Sequence, residues 1–190
     1  SVGSLVSARR ISNFLKSQHL KNSPRVVLDY IDHLIEACFL YQAPRYDIKG
    51  KRIFEVNEKY YFGDLGLRNA IAGYRPGDIN KILENIVYHH LRAQGNTVKV
   101  GVLDGAEVDF IAERQDRRTY YQVTYLLPDE DAVTREFGNL AQIPDQHPKY
   151  VISMDPMALG DYEGIRHLHL RDFLSGIGPN TARQARDGEA

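Results

Sequence analysis

Two acidic side chains near the middle of the chain have the type and spacing to do chemistry. They lie on a strand predicted over residues 106–112, directly after the hairpin dipeptide Asp104-Gly105. The two-residue period of a strand places Glu107, Asp109 and Ile111 on one face. Two carboxylates that share a face can hold a hard cation through their oxygens.

Residues on the neighbouring elements can complete this group. Gln122 and Thr124 share a face of the strand predicted over 119–126, and Gln122 converges on Asp109 if the two strands are neighbours. Glu84 lies off the apolar stripe of the preceding helix. A helix carboxylate, a strand aspartate and a following carboxylate or amide are parts of a magnesium-dependent nuclease site, where a lysine polarises the attacked phosphate. The sequence therefore predicts a weak Mg²⁺ site at Glu84, Asp109 and Gln122.

The elements that must position these residues follow one another closely. Asp78 predicts a helix start, and Gly95-Asn96 ends that helix. Alternating apolar runs then predict the strands and a further helix. In order, we expect a strand over 60–62, a helix over 78–93, strands over 97–103, 106–112 and 119–126, a helix over 131–143, and strands over 150–152 and 165–170. This order is typical of a mixed α/β domain.

The first 58 residues have a different pattern. Ser7 predicts a short amphipathic helix to Ser17, and Ser23-Pro24 predicts a second helix over 24–38 with Cys38 on its buried face. Strand-like runs over 39–41 and 52–56 then flank a glycine turn, as in a hairpin. Two helices followed by a hairpin are typical of a winged helix, here with its first helix truncated.

Charge is unevenly distributed along the chain. Residues 1–70 carry eleven basic and seven acidic side chains, a net charge of +4, whereas residues 71–190 carry thirteen and eighteen, a net charge of −5. The first 25 residues contain no acid, which favours contact with phosphate backbones, although a solvated helix face is an equal alternative. The predicted DNA-binding residues are Arg9, Arg10, Arg25, Lys49, Lys51 and Arg52.

The overall composition, 43% hydrophobic and 26% charged over 190 residues, is that of a globular protein. The chain has no apolar run of membrane-spanning length, and its single cysteine cannot form an internal disulfide. We therefore expect a cytoplasmic protein without a membrane partner. The pairs His89-His90 and His167-x-His169 are weaker metal candidates, since such pairs usually serve packing.

Several short strings, in order and at matching spacing, resemble one known family. They are Leu83-Glu84-Asn85, Glu107-Val108-Asp109-Phe110 and Tyr121-Gln122-Val123-Thr124-Tyr125, with further agreement over 59–67, 135–136, 148–152 and 164–165. They resemble the C-terminal region of bacterial and archaeal AAA-type ATPases, a domain of unknown function related to the PD-(D/E)XK nuclease fold. The resemblance covers residues 5–174.

The resemblance implies a partial winged helix over 1–58 and a restriction-endonuclease-like three-layer α/β domain with a mixed sheet over 59–174. The small, polar sequence that follows has no periodicity and predicts a flexible tail over 175–190. The resemblance also implies a P-loop ATPase domain before this region as a partner. The only Gly-Lys pair, Gly50-Lys51, lacks the rest of a phosphate loop. ATP is therefore expected only in that preceding domain.

The resemblance places Gln122 at the second acidic position of the nuclease pattern and Thr124 at its lysine position. Threonine cannot supply the positive charge that lysine would, although a displaced lysine such as Lys99 can restore it. We therefore expect a degenerate nuclease-like fold that acts as a DNA-directed or partner-binding module. The alternatives are an active Mg²⁺-dependent DNA nuclease and a module for protein interaction alone.

Overall fold

The computed structural model of the chain describes residues 7–20, 22–54, 58–156 and 160–176. The predicted tail beyond residue 176 lies outside the described residues. Within them the helices are α1 Ala8–Ser17, α2 Pro24–Glu36, α3 Leu65–Ala72, α4 Ile79–Ala93, α5 Glu130–Ala141 and α6 Leu170–Leu174. The strands are β1 Leu40–Ala43, β2 Arg45–Asp47, β3 Arg52–Ile53, β4 Lys59–Phe62, β5 Thr97–Leu103, β6 Ala106–Arg114, β7 Arg117–Val123, β8 Lys149–Ser153, β9 Asp161–Tyr162 and β10 Ile165–His169.

Eight strands form one mixed sheet in the order β3-β2-β5-β6-β7-β8-β10-β9. Strands β5, β6 and β7 form the predicted antiparallel meander. The pairs β2 with β5, β7 with β8 and β8 with β10 are parallel. The predicted mixed α/β architecture is therefore confirmed.

Helices cover both faces of the sheet. Leu83, Val87 and Leu91 of α4 pack with Val100 and Phe110 on one face. On the other face, α5 packs Phe137 and Leu140 against Val108, Ile111 and Tyr120. The two helices therefore bury a separate apolar core on each side of the same sheet.

The first two helices begin and end close to their predicted bounds. Ser23 caps α2, since its hydroxyl accepts the Val26 N–H at 3.3 Å, and proline occupies the first turn. The prediction that Cys38 is buried on this helix is wrong. The helix ends at Glu36, and Cys38 has a φ of 57° in the turn that follows, so its side chain is exposed.

The predicted hairpin of the winged helix has different strands. Strand β1 pairs with β4, aligning Leu40 with Phe62, in a separate two-stranded sheet. The hairpin that turns at Gly50 instead joins β2 to β3. Strands from both sides of residue 58 thus pair with one another, and β2 belongs to the large sheet.

Within the described residues, no helix is both long enough and apolar enough to cross a bilayer.

Candidate functional site

A bulge in β6 determines which side chains enter the candidate site. Lys99 pairs with Ile111 and Gly101 with Val108, so β6 contains one more residue than β5 between these two pairs. Opposite the bulge, a Cβ on Gly101 would approach the Cβ of Val108 to 3.0 Å, so the glycine permits close packing there. The predicted regular alternation is therefore wrong beyond Asp109, because Ile111 packs on the other face with Val108.

The centre of the site is Lys59, the first residue of β4. Its Nζ lies 2.6 Å from Glu107 Oε1, 3.2 Å from Glu84 Oε2 and 3.9 Å from Asp109 Oδ1. One ammonium group thus lies among all three predicted carboxylates. We call these four residues the Lys59 cluster.

Hydrogen bonds between α4 and β4 fix the distance from Glu84 to Lys59. Asn85 Oδ1 accepts the Phe62 N–H at 2.8 Å, and Asn85 Nδ2 donates to the Phe62 carbonyl at 3.0 Å. The same carbonyl lies 2.7 Å from His89 Nε2. At the adjacent residues of strand and helix, the Tyr61 hydroxyl donates to Glu84 Oε2 at 3.4 Å. The helix is therefore clamped on the strand that carries the lysine.

Asp109 is held by the backbone of the next strand. Its Oδ2 accepts the Val123 N–H at 2.8 Å. Its own N–H donates to Gln122 Oε1 at 3.4 Å. The carboxylate is thus oriented by β7 and lies beside the ammonium of Lys59.

Burial differs among the members of the Lys59 cluster. The side chains of Lys59, Asp109 and Glu84 are 3%, 8% and 11% exposed, whereas that of Glu107 is 35% exposed. Glu107 is therefore the member through which solvent reaches the cluster.

Burial and charge shift the pKa values of the cluster in a consistent way. Burial, followed by the charge of Glu84, raises the pKa of Asp109 well above its usual value, although Lys59 opposes the shift. Burial likewise raises the pKa of Glu84. For Lys59 burial acts downward, but the carboxylates of Glu84, Asp109 and Glu107 together raise its pKa. The lysine therefore stays charged, while the buried carboxylates retain protons more readily than exposed ones.

The side chains of Gln122 and Thr124 bond backbone groups and not the charged groups of the cluster. The Gln122 carbonyl serves the Asp109 backbone N–H, and the Thr124 hydroxyl donates to the Leu126 carbonyl at 3.4 Å. Neither side chain contacts Lys59 or a carboxylate among the contacts of the described residues. The interpretation of Gln122 as a ligand is therefore not supported by its position.

The lysine of the site is Lys59 and not Lys99. Lys99 pairs with Glu113, and its Nζ lies 4.9 Å from the centre of the Tyr46 ring. Sequence reasoning missed Lys59 because it begins a strand far from Asp109 along the chain. The sequence does contain a signal for it. Lys59 lies two positions before Tyr61 on the same strand, and residues two positions apart on a strand face the same side, which here is buried.

The Lys59 cluster does not fit Mg²⁺ in this arrangement. The ion needs near-octahedral oxygens at about 2.0–2.1 Å, and the ammonium occupies the space between the carboxylates. In the part of the chain that the structure describes, no group of three or more histidine, cysteine or acidic side chains is arranged to hold a metal ion. His89 and His90 instead contact Phe62 and Gln94.

The predicted DNA-binding residues are exposed but differ in their partners. Arg9 and Arg10 lie on α1, and Arg25 lies in the first turn of α2. In the β2–β3 hairpin, Lys49 pairs with Asp104 at 3.2 Å and Arg52 with Asp47 at 3.6 Å, whereas Lys51 lies in the turn. The positive charge of the hairpin is thus partly neutralised.

Comparison with known proteins identifies a relative of this chain. A protein of Haemophilus influenzae described as uncharacterized is 36% identical over 174 residues. The match covers 92% of this chain and 43% of the relative, so the chain spans less than half of that protein's length. No protein-family model matches the chain, and no solved structure does.

Proposed function

We propose that the chain is the C-terminal region of an AAA-type ATPase, with a winged helix and a PD-(D/E)XK nuclease-like domain, and that it acts as a DNA-directed or partner-binding module. In this proposal the nuclease-like site is degenerate. The observation that carries it is the Lys59 ammonium, which lies among the three carboxylates that a nuclease would use for metal.

Two properties of Lys59 argue against cleavage. A lysine that stabilises a reacting phosphate must be free to contact it, and Lys59 is buried and already bonded to Glu84 and Glu107. A metal that entered between the carboxylates would have to displace the ammonium. The cluster therefore acts as a structural ion cluster that joins β4, α4 and β6.

DNA binding in this proposal relies chiefly on α1 and the start of α2. Arg9 and Arg10 are exposed, and α1 has no acidic residue in its first turn. The hairpin contributes less because Asp104 and Asp47 neutralise two of its cations. Contact with the phosphate backbone predicts weak, sequence-independent binding that falls steeply with salt.

The second candidate function is an active Mg²⁺-dependent nuclease. The same lysine favours it, because Lys59 brings to the carboxylates the positive charge that Thr124 cannot. In that case the ammonium would move from the carboxylates to a substrate phosphate once metal is bound. The two candidates therefore differ in one measurable property, which is metal-dependent cleavage.

The deciding assay incubates the chain with plasmid, branched and single-stranded DNA in Mg²⁺ and in Mn²⁺. We expect no cleavage above that of the Asp109→Asn variant. The control variant is Asp116→Asn, which changes an exposed aspartate in the β6–β7 turn. Cleavage that persists in the control but disappears in Asp109→Asn would contradict the degenerate site and support the nuclease.

DNA binding is tested separately by a salt titration with duplex DNA. We expect binding at about 50 mM salt that weakens as salt rises and is reduced in an Arg9→Glu, Arg10→Glu variant. The matched control is Arg117→Glu, at an exposed position of β7. Binding that is absent at low salt would support the interaction-only alternative.

A further inference from the structure

An apolar groove lies where the first two helices meet β1 and β4. It has a volume of about 670 Å³. Its apolar wall is formed by Ile11 of α1, Ile31 and Leu34 of α2, Leu40 of β1 and Phe62 of β4. Leu34 is 40% exposed although it follows the buried Val27 and Ile31 on the same helix. The described residues therefore cover this face of α2 only in part.

Other large apolar side chains, close in sequence to the lining residues, are exposed. Phe14, three residues after Ile11 on α1, is 64% exposed. Ile71 and Tyr74, next to the lining residues Ala72 and Arg75 in sequence, are also exposed. Exposed apolar side chains so close in sequence to the lining residues suit an elongated partner better than a small molecule.

The remaining wall carries an excess of positive charge. Arg68, Arg75 and Lys81 line it together with one acid, Asp78. Arg68 is bonded to Asp78, and this bond, together with the charges of Arg68, Lys81 and Arg75, lowers the pKa of the Asp78 carboxyl. Within the described residues Arg75 and Lys81 form no salt bridge of their own. Two cations are thus left beside an apolar surface.

Acidic side chains near Tyr60 make the distribution of charge around the groove uneven. The Tyr60 hydroxyl donates to Glu58 at 3.0 Å, and Asp32 of α2 contributes to the negative charge around the same ring. The acidic groups of a partner are therefore attracted by Arg75 and Lys81 and repelled by the acids near Tyr60. Such an arrangement favours one orientation of the bound segment.

We propose that the groove binds an amphipathic helical segment of a partner protein, with apolar side chains on one face and acidic side chains at one end. The apolar face covers Leu34 and Leu40, and the acidic end pairs with Arg75 and Lys81. This inference rests on the partner-binding half of the proposed function and specifies where and what that partner binds.

The test uses two synthetic peptides of about 15 residues, roughly four helical turns, with leucine at the i, i+3, i+4 and i+7 positions. One peptide ends in glutamates and the other in lysines. Binding to the whole chain is measured by fluorescence anisotropy. We expect the glutamate peptide to bind at least about tenfold more tightly than the lysine peptide.

Three variants locate the binding site. Arg75→Glu with Lys81→Glu should reverse the preference between the peptides, and Leu34→Asp should weaken both by about tenfold or more. Arg117→Glu, on β7, should change neither affinity. Far-UV circular dichroism melts of each variant show that the fold is retained, which is expected because the altered groove positions are at least partly exposed.

Four results would overturn the inference. Equal affinity for the two peptides would remove the charge argument, and unchanged binding in Leu34→Asp would remove the groove. Self-association of the chain that Leu34→Asp abolishes would identify a second copy as the occupant instead. Loss of DNA binding in the Arg75→Glu, Lys81→Glu variant would assign the surface to DNA. The cleavage assay and the salt titration above use chains in which the groove residues are unchanged, so either proposal can fail alone.

Discussion

The charge balance of the Lys59 cluster depends on a single side chain. Three carboxylates surround one ammonium, and the lysine is the least exposed of the four groups. Removing one partner from a buried ionic cluster leaves the others desolvated without compensation, which costs far more than the loss of a surface pair. Lys59 is therefore the residue whose replacement should be most informative.

We expect Lys59→Met to lower the free energy of unfolding by about 3–5 kcal/mol, because the three carboxylates lose their counter-charge. Urea unfolding followed by circular dichroism measures this. Added Mn²⁺ should raise the melting temperature of the variant and not that of the original chain, because the vacated space then suits a cation. The control is Lys49→Met, which removes the exposed pair with Asp104 and should cost less than about 1 kcal/mol. A loss in Lys59→Met no larger than in this control would contradict the role of the cluster.

Asp109 should impose a pH dependence on stability. Burial raises the pKa of its carboxyl well above the usual 3.8. Between the usual pKa and the raised pKa, the folded state therefore holds a proton that the unfolded state has released. The contribution of this group is therefore fully present below about pH 4 and is lost as the pH rises through the raised pKa.

Asp109→Asn should flatten this dependence. In the original chain, Asp109 makes the free energy of unfolding fall with rising pH by at most about 1.4 kcal/mol per pH unit. The variant lacks this contribution. Urea unfolding at several pH values from about 5 to 7 measures the slope. Asp116→Asn should keep the original slope. Identical slopes for Asp109→Asn and the original chain would disprove the assignment.

At the scale of elements, the site depends on how α4 is docked on β4. Asn85 bonds both the N–H and the carbonyl of Phe62, and Tyr61 stacks on Tyr88 of the same helix with ring centres 4.3 Å apart. These contacts set the separation between Glu84 and Lys59. The helix and strand therefore behave as one unit although 16 residues separate them in sequence.

Asn85→Ala should lower the unfolding free energy by about 2 kcal/mol, because two hydrogen bonds to β4 are lost at about 1 kcal/mol each. Urea unfolding measures the loss. Thr134→Ala, at an exposed position of α5, is the control and should be close to neutral. An effect of Asn85→Ala as small as that of the control would mean that α4 is held by its apolar face alone.

The sequence predicted these elements well where their signals are local. The meander β5–β7, the helices α4 and α5 and the cap at Ser23 follow from periodicity, turn dipeptides and capping residues. The bulge after Asp109 could not be predicted, because it depends on packing between β5 and β6. The position of Lys59 and the pairing of β2 with β5 depend on contacts between residues far apart in the chain, which periodicity does not report.

At the scale of the whole molecule, two strand pairings tie the first helices to the rest of the chain, and one of them is in the large sheet. Strand β1 follows α2 and pairs with β4, and β2 continues into the large sheet beside β5. Cooperative unfolding of both parts is therefore expected.

We expect a single urea transition in which far-UV and near-UV circular dichroism coincide. The near-UV signal is suitable because the chain has 12 tyrosines and no tryptophan, and buried tyrosines report tertiary packing. Phe62→Ala should shift the whole transition, by less than the roughly 3–5 kcal/mol of a fully buried ring because Phe62 is only half-buried. Two separate transitions would show that the α1–α2 region unfolds independently.

The parallel pairing of β2 with β5 has a consequence for any shortened form of this protein. Arg45, Tyr46 and Asp47 lie along Val100, Gly101 and Val102 and thereby cover one side of β5. A fragment that began at residue 59 would leave the amides and carbonyls of that side unpaired, next to valines that are buried in the intact chain. An uncovered strand of this kind is a template for intermolecular pairing. Such a fragment should aggregate, whereas one that begins before β2 should remain monodisperse in size-exclusion chromatography.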